Sequence, residues 1–211
     1  MAEPETELQT DLAALGLSSR TEQIDALLRY CELLRKWNKT YNLISATDLA
    51  QLTSRHLLDS LAIAPYLQGE TVLDVGTGAG LPGIPLSIVS PERQFLLLDS
   101  NGKKTRFLFQ VKLALGLERV EVENCRVEHY QSQRQIDIVT CRAFAPIPEI
   151  IRLTEHLFHS GTVLLAMKGR YPEEELAALP DHFELCASER LNVPGLDSER
   201  HLLTLKLRSI L

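Results

Sequence analysis

The sequence predicts an α/β fold: a doubly wound, mostly parallel sheet of seven strands that ends in an antiparallel hairpin and follows a helical extension. Three observations carry this. Past residue 70, short and nearly uninterrupted apolar runs alternate with helical stretches, as parallel strands covered on both faces do. The first of those runs leads into a glycine-rich turn. The last two β-rich runs are joined by an Asn-Val-Pro-Gly-Leu-Asp loop with no helix between them, so they pair antiparallel.

Residues 1–67 form the extension and 68–211 the sheet domain. In the extension, Ser19 and Glu22 have the spacing of a capping box. Ile24, Leu27, Leu28, Cys31, Leu34 and Trp37 then recur at helical spacing. Arg35, Lys36 and Lys39 gather where cations suit the helix dipole. Tyr41-Asn42-Leu43 breaks that pattern, and a second helix is expected over Asp48–Leu67, capped by Thr47. Strands are expected at Thr71–Val75, Gln94–Asp99, Val120–Glu123, Ile136–Cys141 and Thr162–Met167, and helices at Lys103–Leu115 and Pro146–Phe158. Pro148 falls in the first turn of that last helix, where a missing N–H costs little. Phe183–Arg190 and His201–Leu207 form the hairpin.

Composition narrows the function classes. Of the 211 residues 45% are hydrophobic and 24% charged, which suits a soluble protein with a real core. The longest uncharged stretch, Val75–Pro91, holds four Gly and three Pro and makes no spanning helix. The acidic start, MAEPETELQTD, lacks a signal-peptide pattern. Cys31, Cys125, Cys141 and Cys186 form no CxxC pair, so reduced thiols in a cytoplasm are expected, without a disulfide frame or a metal site. With a net charge of −6, a nucleic-acid partner has to meet a local basic patch.

The segment Val72-Leu-Asp-Val-Gly-Thr-Gly-Ala-Gly-Leu-Pro-Gly83 is the most informative. Glycines at 76, 78 and 80 let the chain turn tightly and let a ligand approach the backbone. Gly78-x-Gly80-x-x-Gly83 matches a dinucleotide fingerprint, which seats a pyrophosphate on a helix amino terminus. However, the turn starts one repeat earlier, at Gly76, and Asp74 brings negative charge toward it. A carboxylate there repels a pyrophosphate and orients an ammonium, as in S-adenosylmethionine. Asp99 ends the second strand 25 residues later, where a carboxylate can accept from ribose hydroxyls; its alternative is a helix cap. After the third strand, Glu128 and the Val127 backbone are placed to bind adenine, unless Glu128 is merely solvated.

The chain resembles the bacterial 16S ribosomal RNA guanine-N7 methyltransferases, also called glucose-inhibited division protein B. The motifs that carry this are LLRKWNKTYNLIS (33–45), RHLLDSL (55–61), LDVGTGAGLPGIPLSI (73–88), LLDS-GKK (97–104), CRAFA (141–145), AMKG (166–169) and PGLDSERHLL (194–203). They run in order through nearly the whole chain. Cys141 stands where Ser is common and Met167 where Leu is common. The resemblance implies a class I, Rossmann-like methyltransferase of the cytoplasm. It implies S-adenosyl-L-methionine as cofactor, and as substrate one guanine, usually numbered 527, in 16S rRNA or a small ribosomal subunit or its assembly intermediate. No membrane and no obligate protein partner are expected. By the same resemblance, cofactor contacts fall on Gly76, Leu81, Val127, Glu128 and Arg142. Asp74 and Gly78 of the turn, and Asp99 at the end of the second strand, join them from the reading of the residues.

Guanine N7 carries an in-plane lone pair and attacks an electrophilic methyl directly, so positioning matters more than a general base. No catalytic residue is assigned; Arg142 and Lys168 are candidates, as donors to guanine O6 or to phosphate. Cys141 as a nucleophile is weaker than Cys141 as packing. Arg126, Lys168 and Arg170, with Lys103 and Lys104, follow strands on one edge and suggest an RNA-facing rim. Phe144 is a candidate to stack on an extruded base, or else a core residue. His56 and Asp59 share a helix face; they are expected to form a buried hydrogen-bonded pair or, with Asn42, to close the cofactor pocket. Two other readings stay open: an NAD-linked oxidoreductase, and a cofactor-sensing RNA-binding module without turnover.

Overall fold

The computed structural model describes residues 4–208. The strands are β1 (Thr71–Val75), β2 (Gln94–Leu98), β3 (Val120–Glu123), β4 (Ile138–Arg142), β5 (Val163–Lys168), β6 (Phe183–Arg190) and β7 (His201–Leu207). They form one sheet in the order β3-β2-β1-β4-β5-β7-β6. All neighbours are parallel except β7, which runs antiparallel to both β5 and β6.

Alternation along each strand sends side chains to two cores. Val72, Phe95, Leu97, Ile138 and Leu165 face one side. Leu73, Val75, Leu96, Leu98, Val139, Leu164 and Ala166 face the other. The first core takes in α1 (Pro4–Ala14), α2 (Thr21–Tyr41), α4 (Leu58–Leu61), α5 (Gly83–Val89) and α6 (Gly102–Leu115), so the helical extension and one sheet face share a single apolar interior. The second core is closed by α7 (Ile147–Thr154), whose Ile147, Ile150 and Ile151 lie along one stripe. None of the described helices is long and apolar enough to cross a membrane.

Several expected boundaries move. The cap of α2 is Arg20, whose N–H donates to Gln23 Oε1 at 3.0 Å; Ser19 and Glu22 are one residue out of register. The single helix expected over 48–67 is broken. A short α3 (Ala46–Ala50), capped by Ser45 and not Thr47, is followed by a π-helical turn (Leu52–Leu57), α4 and a 3₁₀ turn (Ala64–Tyr66). β4 starts two residues late, at Ile138, just after Asp137, whose carboxylate accepts from the Glu70 and Thr71 N–H groups and ties down the start of β1. The helix expected to reach Phe158 ends at Thr154 and continues as a 3₁₀ turn. A further helix, α8 (Glu173–Ala177), has no sequence forecast.

Candidate active site

β1 and β4 are neighbours at the middle of the sheet, and the strands that follow each of them spread in opposite directions. Such a switch point opens a crevice at the carboxyl ends of the strands. Two cavities occupy it, of about 530 and 620 Å³. Ala143 and Phe144, just beyond β4, line both and form the wall between them.

The first cavity lies over the glycine turn. Gly76 has φ +66°, and a Cβ there would stand 2.3 Å from the Phe144 ring, so only glycine fits beneath the wall. Asp74 is fully buried. Its Oδ2 accepts from the Thr77 hydroxyl at 2.6 Å and from the Gly83 N–H at 2.8 Å, while Oδ1 has no partner among the described residues. Burial pushes this carboxyl up to about 7, against the pull of the two hydrogen bonds and of Arg142. Asp74 points its carboxyl into the turn, as its place before Gly76 suggested; there it is bonded by Thr77 and Gly83 and lines neither cavity.

That bond also bears on the dinucleotide fingerprint. At the start of α5 the Gly83 N–H is taken by Asp74, the Ile84 N–H donates to Gly80 O at 2.7 Å, and Pro85 has none. The amino terminus that a pyrophosphate would need is already capped by a carboxylate. Gly83 is glycine for packing, since a Cβ would lie 2.2 Å from Leu97 Cδ2.

Asp99 lines the first cavity. Its Oδ2 accepts from the Gly78 N–H at 2.9 Å, its Oδ1 accepts from the Asn101 N–H at 2.8 Å, and Lys104 Nζ stands 3.8 Å from Oδ2. The helix cap of α6 is Asn101, through the Lys103 N–H, so Asp99 is not the cap. A carboxylate has about four acceptor sites, so Asp99 keeps capacity for hydroxyl donors. Buried Val127 and exposed Glu128 sit in a 3₁₀ turn on the opposite wall, with Arg126 beside them. Arg126 lines the first cavity and is exposed. Gly78 supports Asp99 but lines neither cavity, and the Leu81 side chain is buried in the core.

The second cavity is framed by charge. Arg142 Nη1 donates to Asp59 Oδ2 at 3.1 Å and lies 3.0 Å from His56 Nδ1, while Arg200 Nε donates to Asp59 Oδ1 at 2.8 Å. A guanidinium only donates, so His56 Nδ1 accepts, and the ring proton sits on Nε2, facing Asp48 Oδ1 at 3.0 Å. Burial, then Arg142, lowers the His56 pKa, which keeps the ring neutral. Lys168 Nζ donates to Glu175 Oε2 at 2.7 Å and to Ala145 O at 3.2 Å. Burial pushes the Cys141 thiol up to about 12, so it offers no thiolate.

The family model described as GidB, rRNA small subunit methyltransferase G, matches residues 23–203. The chain belongs to the GidB family. It is 50% identical over 200 residues to ribosomal RNA small subunit methyltransferase G of Saccharophagus degradans, covering 95% of this chain and 90% of that one. Against the protein of the same name from Nitrosococcus oceani the identity is 47% over 201 residues, covering 95% and 94%. Two solved structures share the fold. Streptococcus pneumoniae Sp1610 in complex with S-adenosyl-L-methionine has a TM-score of 0.58 at 16% identity, covering 72% of this chain and 73% of that one. P. horikoshii TYW2 in complex with MeSAdo has a TM-score of 0.57 at 15% identity, covering 73% and 63%.

Within this GidB chain the crevice gathers most of the residues singled out from sequence, but divides them. Gly76, Asp99, Arg126, Val127 and Glu128 meet at the first cavity. Arg142, Lys168, His56 and Asp59 meet at the second, where Arg142 was expected against the cofactor. Asn42 is the left-handed cap of α2, and Arg170 is exposed; neither lines a cavity. Phe144 is neither core nor free: it is 37% exposed and lies on Gly76. Arg200 and Glu175 went unread as site residues. Arg200 sits in the motif PGLDSERHLL, where a charge placed just before an apolar strand was the available signal.

Proposed function

We propose that the protein transfers the methyl group of S-adenosylmethionine to N7 of a guanine in 16S ribosomal RNA, at the position usually numbered 527. The observation that carries this reading is the pair of cavities joined at Phe144, with the α5 amino terminus already capped by Asp74. Family membership supports the reaction class, and the base and its position rest on the motifs quoted above. The oxidoreductase reading loses the seat that a diphosphate requires.

S-adenosylmethionine supplies an electrophilic methyl on a sulfonium. On this reading Asp99 accepts from its ribose hydroxyls, Glu128 accepts from the adenine amino group, and the Val127 backbone serves a ring nitrogen. Asp74 shapes the turn, and Gly76 lets the ligand lie against the backbone under the Phe144 wall. The second cavity receives the guanine. Its N7 lone pair needs no base, so the protein's task is to hold the two partners in line. Methylation leaves a positive purine, and nearby cations would oppose that. Here Lys168 is matched by Glu175, while Asp59 is shared between Arg142 and Arg200, so the charge of Lys168 is offset and that of Arg142 only in part; both can donate to O6 or phosphate. Such a substrate entails a cytoplasmic protein that meets 16S rRNA or a small-subunit particle.

The test is transfer of labelled methyl to 16S rRNA from cells lacking the modification, followed by nucleotide mapping. Label on a single guanine, lost on depurination at 7-methylguanine, is expected. Label on another base, or none on free RNA or on particles, would contradict the reading.

A further inference from the structure

The wall between the cavities is not held by the core. Phe144 is exposed, and so is Ala143 before it, so burial fixes neither. Ala143 also sits at φ +51°. A residue with a Cβ enters that region at a cost and stays there only where its neighbours hold it. Yet the Phe144 ring lies close over the Gly76 turn and parts the two cavities. The segment 143–147 is therefore set from its flanks.

Both flanks are tied. On one side β4 ends at Arg142, whose guanidinium donates to Asp59. On the other, one carboxylate oxygen of α8 gathers the rest. Glu175 Oε2 accepts from the Ile147 N–H at 2.6 Å and from Lys168 Nζ at 2.7 Å, and the same Nζ donates to Ala145 O at 3.2 Å. Ile147 opens α7, where an N–H has no partner within the helix. Pro146 and Pro148 on either side of it have no N–H. Glu175 thus takes the one backbone donor that residues 146–148 offer. Its second bond has a further effect. An ammonium has three donors. Lys168 spends two on Glu175 and Ala145, which leaves one for the second cavity that it lines.

We infer that Glu175 is a positioning residue, which through Lys168 and the Ile147 N–H fixes segment 143–147 and so keeps the Phe144 wall over Gly76, between the methyl donor and its acceptor. Glu175 itself lines neither cavity and acts only through these partners. The inference rests on the proposed function in giving the first cavity to S-adenosylmethionine and the second to the base.

Fluorine NMR with 4-fluorophenylalanine in place of Phe144 reads the wall without RNA or cofactor. With Glu175 present, a single narrow resonance is expected. Glu175→Ala should shift or broaden it. Glu175→Gln, whose amide oxygen still accepts from Ile147, should stay close to wild type. Glu174→Ala, at an exposed neighbour on α8, should change nothing. Calorimetric binding of S-adenosylhomocysteine should weaken about 10-fold in Glu175→Ala. Where the wild type methylates 16S rRNA, kcat of that variant should fall about 10- to 100-fold, with most of the loss recovered in Glu175→Gln. An unchanged resonance in Glu175→Ala overturns the clamp. A changed resonance with wild-type affinity and kcat overturns its part in the reaction. A measurement on the unaltered protein covers a variant that fails to fold: the Ile147 amide should exchange with solvent far more slowly than an open-chain amide, and open-chain exchange overturns the clamp. Wild-type protein that leaves 16S rRNA unmethylated would instead sink the function proposed above, with the resonance still deciding the clamp.

Discussion

The two cavities are built by different means. The first is made by backbone: a strand, a turn with left-handed glycines, and two carboxylates, Asp74 and Asp99, that accept from N–H and hydroxyl groups two to nine positions along the chain. The second is made by long-range charge. Asp59 reaches across 83 residues to Arg142 and across 141 to Arg200. A cavity framed by local chain geometry tolerates surface drift but not a changed glycine. A cavity framed by a buried ion network tolerates no lost partner, since an uncompensated charge is left behind.

The largest expected effect comes from the charge network. Asp59→Ala strands two guanidiniums that are each less than a fifth exposed. It should cost about 3 kcal/mol in equilibrium urea unfolding, and methyl transfer should collapse with it. A loss under about 0.5 kcal/mol would mean that the pairs are effectively solvated.

The backbone cavity can be broken at two glycines with different outcomes. Gly83→Ala drives a methyl to 2.2 Å from Leu97 and 2.7 Å from Asp74 Oδ2, and overpacking of that kind costs about 1–3 kcal/mol. Gly78→Ala meets nothing closer than 3.8 Å and pays only for its φ of +62°, about 1 kcal/mol. Thermal unfolding of the two variants should rank them in that order. The reverse ranking would contradict the packing described for the turn.

A smaller effect separates the cavities by pH. Asp74 titrates near 7 when folded and near 3.8 when unfolded, so the folded state keeps a proton that the unfolded chain releases. That stabilisation is complete below about pH 4 and is lost as pH rises through 7. His56 has the opposite sign: its folded pKa is depressed, so its contribution is present above 6.5 and is lost as pH falls. Asp74→Asn keeps an acceptor for Thr77 and Gly83 but removes the first slope. Its stability should fall less between pH 4 and 7 than that of wild type, exposing the His56 trend. An unaltered profile would show that Asp74 is ionised throughout.

The least effect is expected at Cys141→Ser. With the thiol held near 12, methyl transfer should stay within about twofold of wild type, a change of under ~0.5 kcal/mol in the barrier. Loss of turnover with the fold intact would revive a nucleophilic role.

The same contrast explains what could be read from the chain. Strands with continuous apolar runs and the turn from Asp74 to Gly83 announce themselves locally, so the sheet, its hairpin and the residues of the first cavity were legible. The helical segment after Thr47 was not, because a π-helical turn and a 3₁₀ turn keep apolar residues at nearly helical spacing while breaking the helix. The partners of Asp74 were hidden for a related reason: its place on β1 aims it at the turn, but alternation alone cannot tell that Thr77 and Gly83 come back to meet it. Arg200 and Glu175 were illegible because their partners, Asp59 and Lys168, lie on other elements and become neighbours only after the sheet forms.

The division of labour between the cavities is tested most directly by a crystal structure with S-adenosylhomocysteine and a guanine nucleotide. The account predicts the adenosine in the first cavity, its ribose hydroxyls on Asp99, with sulfur near the Phe144 wall and the guanine beyond it beside Arg142 and Lys168. Adenosine seated among Asp59, Arg142 and Arg200, or a diphosphate bound at the start of α5, would contradict it.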